Sequence, residues 1–110
     1  NTEVNILEGG AGNDILDGAG GNDILTGGAG EDEFVFPADF YFSETHIEIT
    51  DFEAGSDTLN LSHLTGFDSF ADATSHMAQQ GDDVLFTSVD STITLSDVSL
   101  DDLTESDFVF

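Results

Sequence analysis

A period of nine residues near the start sets the narrowest bounds on this chain. Gly9-Gly10-Ala11-Gly12-Asn13-Asp14-Ile15-Leu16-Asp17 is followed by Gly18-Ala19-Gly20-Gly21-Asn22-Asp23-Ile24-Leu25-Thr26 and then by Gly27-Gly28-Ala29-Gly30-Glu31-Asp32-Glu33-Phe34-Val35. An eroded copy precedes them, with Asn5 at the aspartate place and Ile6-Leu7 as its apolar pair. Repetition at a fixed period marks a stacked architecture in which each unit buries its apolar side chain only against its neighbours. Within a unit, six residues make a turn whose glycines tolerate φ > 0, so that carbonyls can point inward. Three residues then make a short strand that sends one side chain (Leu16, Leu25, Phe34) into a thin core. Turn and strand together reverse the chain, so two units complete a coil of 18 residues. Turn one therefore stacks on turn three, and turn two faces its own side.

Charge says what such turns hold. The chain has 24 acidic residues and neither lysine nor arginine, a formal net charge of −24. Phosphate neutralisation by basic side chains is excluded, and with it nucleic-acid binding of that kind. No apolar run is long enough to span a bilayer as a helix, so membrane insertion is not expected. Carboxylates that cannot pair with lysine or arginine must sit in water or take a cation from outside. Calcium asks for about six to eight oxygen ligands, and two stacked turns of carbonyls and aspartates supply them. With no cysteine, thiolate sites and disulfides are excluded. His46, His63 and His76 lie on separate segments without an H-E-x-x-H helix, and no serine sits in G-x-S-x-G. The chain is read as non-catalytic.

Composition divides the chain. Nine of its 12 glycines lie in the first 30 residues, and all ten phenylalanines lie at residue 34 or later. Residues 1–35 form the repeat roll and 36–110 an aromatic-rich cap, together one continuous domain. Within the cap, Phe67, Phe70, Ala71, Thr74, Met77 and Ala78 fall at helical intervals and predict a short helix over 67–80. Val84–Val89, Thr92–Leu95 and Phe108–Phe110 read as strands. Asp82-Asp83, Asp101-Asp102 and Glu105 read as solvated turns. The expected fold is all-β: a parallel β-roll, a solenoid of glycine-rich nonapeptides, closed by a β-rich segment with one short helix. The opening Asn-Thr-Glu lacks a methionine and a leader pattern, and the chain reads as part of a longer protein.

These repeats resemble the RTX, or repeats-in-toxin, family of bacterial type I secreted proteins. Ile49-Thr50-Asp51-Phe52-Glu53-Ala54-Gly55-Ser56-Asp57-Thr58-Leu59-Asn60-Leu61-Ser62 resembles the I-x-D-F-x-x-G-x-D-x-I-D-L-S stretch of serralysin-type C-terminal domains. Residues 98–110 resemble a terminal type I secretion target. The resemblance implies one calcium held by Gly10, Gly12 and Asp14 with Gly27, Ala29 and Asp32. Counting sides places a second between Gly28, Gly30 and Asp32 and the turn bearing Asp51 and Asp57. Gly18, Gly20 and Asp23, facing Asn5 and Glu3, form a third candidate. Two or more calcium ions are thus expected. The resemblance further implies a secreted, extracellular module that folds on calcium outside the cell. A signal around Leu95–Phe110 is read by a type I exporter, and upstream domains of the same chain are the cargo. The alternative is a glycan- or surface-binding module of an adhesin or a polysaccharide-modifying enzyme.

Overall fold

The computed structural model describes residues 5–17, 22–36, 46–62, 69–88 and 91–110. The repeat strands are β1 (Asn5–Glu8), β2 (Ile15–Asp17), β3 (Asn22–Thr26) and β4 (Glu33–Val35). They alternate between two sheets, as a chain that reverses at every glycine turn must. Strand β1 pairs parallel with β3 and β2 parallel with β4, each in an 18-residue register such as Leu7↔Leu25 and Leu16↔Phe34. Beyond the repeats, β5 (His46–Ile49) continues the first sheet and β6 (Thr58–Asn60) the second.

The cap completes both sheets. Strands β7 (Met77–Gln80), β8 (Asp83–Ser88) and β9 (Ser91–Leu95) extend the first to six strands in the order β1-β3-β5-β9-β8-β7. The last strand, β10 (Phe108–Val109), closes the second in the order β10-β6-β4-β2. The polarity changes at β9, which is parallel to β5 and antiparallel to β8. A solenoid leaves a strand edge and an apolar core end at its terminus. An antiparallel meander covers both without requiring another coil.

Register turns the short strands into continuous apolar columns. Leu7, Leu25, Ile49 and Leu95 share one level of the first sheet, and Leu16, Phe34, Leu59 and Phe108 one level of the second. All but Leu7 are buried, and Leu7 packs on the same core. Phe52, beside Phe34 at 6.2 Å between ring centroids, and Phe86 and Val98 thicken the core toward the cap. The inward places of Leu16, Leu25 and Phe34 agree with the periodicity.

The helix is shorter than its sequence period predicts. Helix α1 covers Phe70–Thr74, opened by Ser69, whose side chain accepts the Asp72 N–H. Met77–Gln80, expected as its continuation, is a strand paired with β8 through Met77↔Phe86 and Gln80↔Asp83. Phe70, Ala73 and Met77 fit a helical face, yet only Met77 of β7 is buried. The hairpin at Gly81, with φ of 64°, decides the matter. Its β8 partner offers a full ladder of hydrogen bonds that a two-turn helix end cannot match. Phe67 and His63 lie outside the described residues.

Candidate metal centre

Turns one (Gly9–Asp14) and three (Gly27–Asp32) stack directly, because β2 and β4, which follow them, are paired. Gly10, Gly12, Gly28 and Gly30 have φ of 85°, 96°, 87° and 105°, a region open to glycine and strained for other residues. This backbone aims the carbonyls of Gly10 and Gly12 at turn three, so close that a Cβ on Gly28 or Gly30 would strike them. Turn three aims back. The Gly27 carbonyl oxygen and Asp14 Oδ2 each lie 2.7 Å from the point a Cβ on Gly9 would occupy. The Gly10 and Gly12 carbonyls thus lie against Gly28 and Gly30, while the Gly27 carbonyl and Asp14 Oδ2 come together beside Gly9.

Each aspartate ends its turn just before a strand, and their carboxylates are linked. Asp32 Oδ1 accepts the Asp14 N–H at 3.0 Å, and Asp57 Oδ1 accepts the Asp32 N–H at 3.0 Å. The second oxygens differ. Asp57 Oδ2 accepts the Glu53 N–H at 2.8 Å. Asp14 Oδ2 and Asp32 Oδ2 are buried and have no hydrogen-bond partner among the described residues. An ionised oxygen buried without a partner is a costly arrangement. In a chain without lysine or arginine, no side chain of either kind can pair with those two oxygens.

The donor set suits a hard cation. Among the described residues no group of three or more His, Cys, Asp or Glu side chains could hold a metal. An ion here would rest on two carboxylates and several backbone carbonyls, a set of oxygens alone. That chemistry matches calcium and excludes the nitrogen- or sulfur-rich sites that zinc prefers.

The turn bearing Asp51 and Asp57 does land beneath turn three, where counting sides puts it. Its carboxylates are already engaged. Asp51 Oδ1 accepts the Gly27 N–H and Oδ2 the Gly28 N–H, both at 2.8 Å. All four oxygens of Asp51 and Asp57 therefore take backbone donors. Burial raises the Asp57 pKa above its ordinary value; the Glu53 and Asp32 N–H groups oppose the rise, and the Asp32 and Asp51 charges add to it. Ionised Asp57 thus opposes folding progressively as pH rises past the ordinary carboxylate range, unless positive charge is nearby.

Of the third candidate set, Asp23 is buried, while Gly18, Gly20 and Glu3 lie outside the described residues. Sequence reasoning missed Asp107. It is 1% exposed, and its Oδ1 accepts the Gly55 N–H at 2.7 Å while Oδ2 accepts the Thr104 N–H at 2.8 Å. The signal was present in Thr104-x-x-Asp107, which closes as a capping box around a single 3₁₀ turn.

Known proteins share this architecture. No curated protein matches the chain by sequence. Residues 1–34 match the RTX calcium-binding nonapeptide repeat, in four copies. The extracellular lipase LipA from Serratia marcescens superposes with a TM-score of 0.69 at 24% identity, over 93% of this chain and 20% of the lipase. The AlgE6R3 subunit of the Azotobacter vinelandii mannuronan C5-epimerase superposes with a TM-score of 0.74 at 25% identity, over 96% of this chain and 67% of that one. This chain thus spans a fifth of the lipase's length. Its opening 34 residues are RTX calcium-binding nonapeptide repeats, and the described strands among them pair as a parallel β-roll.

Proposed function

We propose that this chain is a calcium-gated folding module of a larger secreted protein. The first ion is held between turns one and three by the Gly10, Gly12, Gly27 and Ala29 carbonyls with Asp14 and Asp32. The observation that carries the proposal is the pair of buried carboxylate oxygens, Asp14 Oδ2 and Asp32 Oδ2, without donors among the described residues of a chain that has no lysine or arginine. A second ion, below turn three, would take the Gly28 and Gly30 carbonyls and share the Asp32 carboxylate with the first.

The energetics favour a switch. Two carboxylates about 4 Å apart repel by roughly 4 kcal/mol at an effective dielectric near 20, and a dication between them reverses the sign. Binding to the folded state alone stabilises it by about 2.7 kcal/mol per site at a hundredfold excess over Kd. Extracellular calcium modules have Kd of about 10⁻⁴ to 10⁻³ M. At the low calcium of a bacterial cytosol the repeats stay unfolded; outside they fold. An unfolded chain can thread a type I exporter, whose signal we place around Leu95–Phe110. No described helix is long and apolar enough to cross a membrane.

The test is far-UV circular dichroism through a calcium titration, with magnesium as the control ion. A coil-like spectrum that gains β structure near millimolar calcium, and not with magnesium, is the expected result. A fully folded spectrum in excess EGTA would sink the gating. Asp14→Asn should move the midpoint to higher calcium. Export is tested separately by fusing the chain to a passenger in a strain carrying a type I exporter, with and without residues 95–110.

The likeness to a mannuronan C5-epimerase subunit favours a second reading, in which the module holds a polysaccharide for an attached enzyme. A surface this acidic would bind an anionic glycan only through calcium. A glycan array that stays blank with calcium present removes that reading and leaves the first intact.

A further inference from the structure

We infer that Asp51 is a positioning residue for the calcium between turns one and three and does not ligate an ion itself. The inference rests on the calcium proposal above and assigns a role to a carboxylate one rung away from that site. Asp51 grips two successive peptides of the overlying turn. Its Oδ1 accepts the Gly27 N–H and its Oδ2 the Gly28 N–H, both at 2.8 Å.

In a trans peptide the N–H and C=O bonds point in opposite directions. A carboxylate that holds both N–H groups from below therefore aims both carbonyls upward, at turn one. The Thr26 carbonyl, which shares its peptide with the Gly27 N–H, accepts the Gly9 N–H at 2.9 Å. The Gly27 carbonyl, which shares its peptide with the Gly28 N–H, stands beside Asp14 Oδ2 across Gly9. One aimed carbonyl thus locks the two turns together, and the other faces the ion gap.

The charge adds to the aim. An N–H donating to a carboxylate polarises its peptide, leaving the carbonyl at the other end more negative and a stronger cation ligand. Asp51 thereby passes part of its charge to the ion through the Gly27–Gly28 peptide. Each Asp51 oxygen already accepts one backbone N–H of the overlying turn.

Two experiments test the role. In the first, the folded calcium protein is isotope-labelled and its calcium exchanged for cadmium, an ion of similar size. The Gly27 carbonyl and Asp14 Cγ carbon resonances should move while Asp51 Cγ stays in place. Movement of Asp51 Cγ together with them, or a Gly27 carbonyl that does not respond, overturns the inference. In the second, calcium is titrated calorimetrically into Asp51→Asn and Asp51→Ala. Both should bind as many equivalents as the wild type. Asparagine, which keeps one acceptor oxygen, should bind about tenfold more weakly, and alanine about a hundredfold. Loss of an equivalent in Asp51→Asn would make Asp51 a ligand and overturn the assignment. Leu103→Ala, a truncation in the buried core of the cap, shows how much weakening comes from lost stability alone; an equal weakening at equal loss of Tm also overturns it. If the Asp51 variants do not fold, the cadmium exchange on the wild type decides. A wild-type chain that binds no calcium would defeat the calcium proposal, an outcome distinct from all of these.

Discussion

The two sides of the roll handle the same repeat position differently as they enter the cap. On the first sheet the register level of Asp23 passes to Ile47 and then Ile93, both buried. On the second, an aspartate stands before every strand from end to end: Asp14, Asp32, Asp57 and Asp107. One side ends its polar column by replacing it with hydrocarbon. The other keeps the carboxylate and changes what satisfies it. Asp14 and Asp32 each have an oxygen without a donor among the described residues, whereas both oxygens of Asp57 and of Asp107 accept backbone N–H groups. A buried carboxylate can be stabilised by a cation or by peptide dipoles, and this column passes from the first solution to the second. Dependence on calcium should therefore fall from the repeats toward the cap.

Removing calcium gives the largest expected effect and the most direct attempt to break that gradient. In EGTA, the amides of β1 to β4 should lose nearly all protection from hydrogen exchange, while those of β8 and β9 keep a measurable part. Protection lost uniformly along the chain would mean that the cap has no stability of its own and that the two ends of the column do not differ. Next in size is Phe108→Ala. Phe108 ends the apolar column of the second sheet and packs edge-on against Phe70 at 5.5 Å and stacked on Phe110 at 5.8 Å. Its truncation should lower unfolding free energy in saturating calcium by about 3–5 kcal/mol, read by chemical denaturation. A loss below about 1 kcal/mol would show that the last strand is not part of the cooperative core.

Much of this was legible in the sequence because a solenoid is local. The nine-residue period gave the 18-residue register, the alternation of sheets and the inward places of Leu16, Leu25 and Phe34. Counting sides even brought the Asp51–Asp57 turn beneath turn three. What it could not give were contacts between residues far apart. Nothing near Asp51 shows that its oxygens will meet Gly27 and Gly28 more than 20 positions earlier. Nothing near Asp107 shows Gly55 as its donor. Met77–Gln80 failed for a related reason: Met77 sits on an apolar face in either a helix or a strand, and only its pairing with Phe86 distinguishes them.

Asp107→Asn sharpens the comparison at the cap end. The amide keeps one acceptor oxygen but turns an NH2 toward either Gly55 N–H or Thr104 N–H. Losing one charge-assisted bond in a buried setting should cost about 1.5–3 kcal/mol. Because Asp107 already has two donors, the number of calcium equivalents should not change. Calorimetry that lost an equivalent would place an ion at the cap as well, and the passage from cation to peptide dipole would not hold.

The smallest effect is expected at Asn13, on the outer rim of the same stack. Its Oδ1 accepts the Glu31 N–H at 2.8 Å, joining turns one and three on the side away from the core. The residue is exposed, so Asn13→Ala leaves the Glu31 N–H free to take water instead. The cost should be about 0.5–1 kcal/mol, near the net worth of one neutral hydrogen bond. It should appear only when calcium has already brought the turns together, as a lower Tm in calcium with no change in the EGTA spectrum. An Asn13→Ala protein whose calcium-free spectrum also changes would mean that the turns associate before the ion arrives. Calcium would then tighten a roll already formed, and the difference between the two ends of the aspartate column would be one of degree.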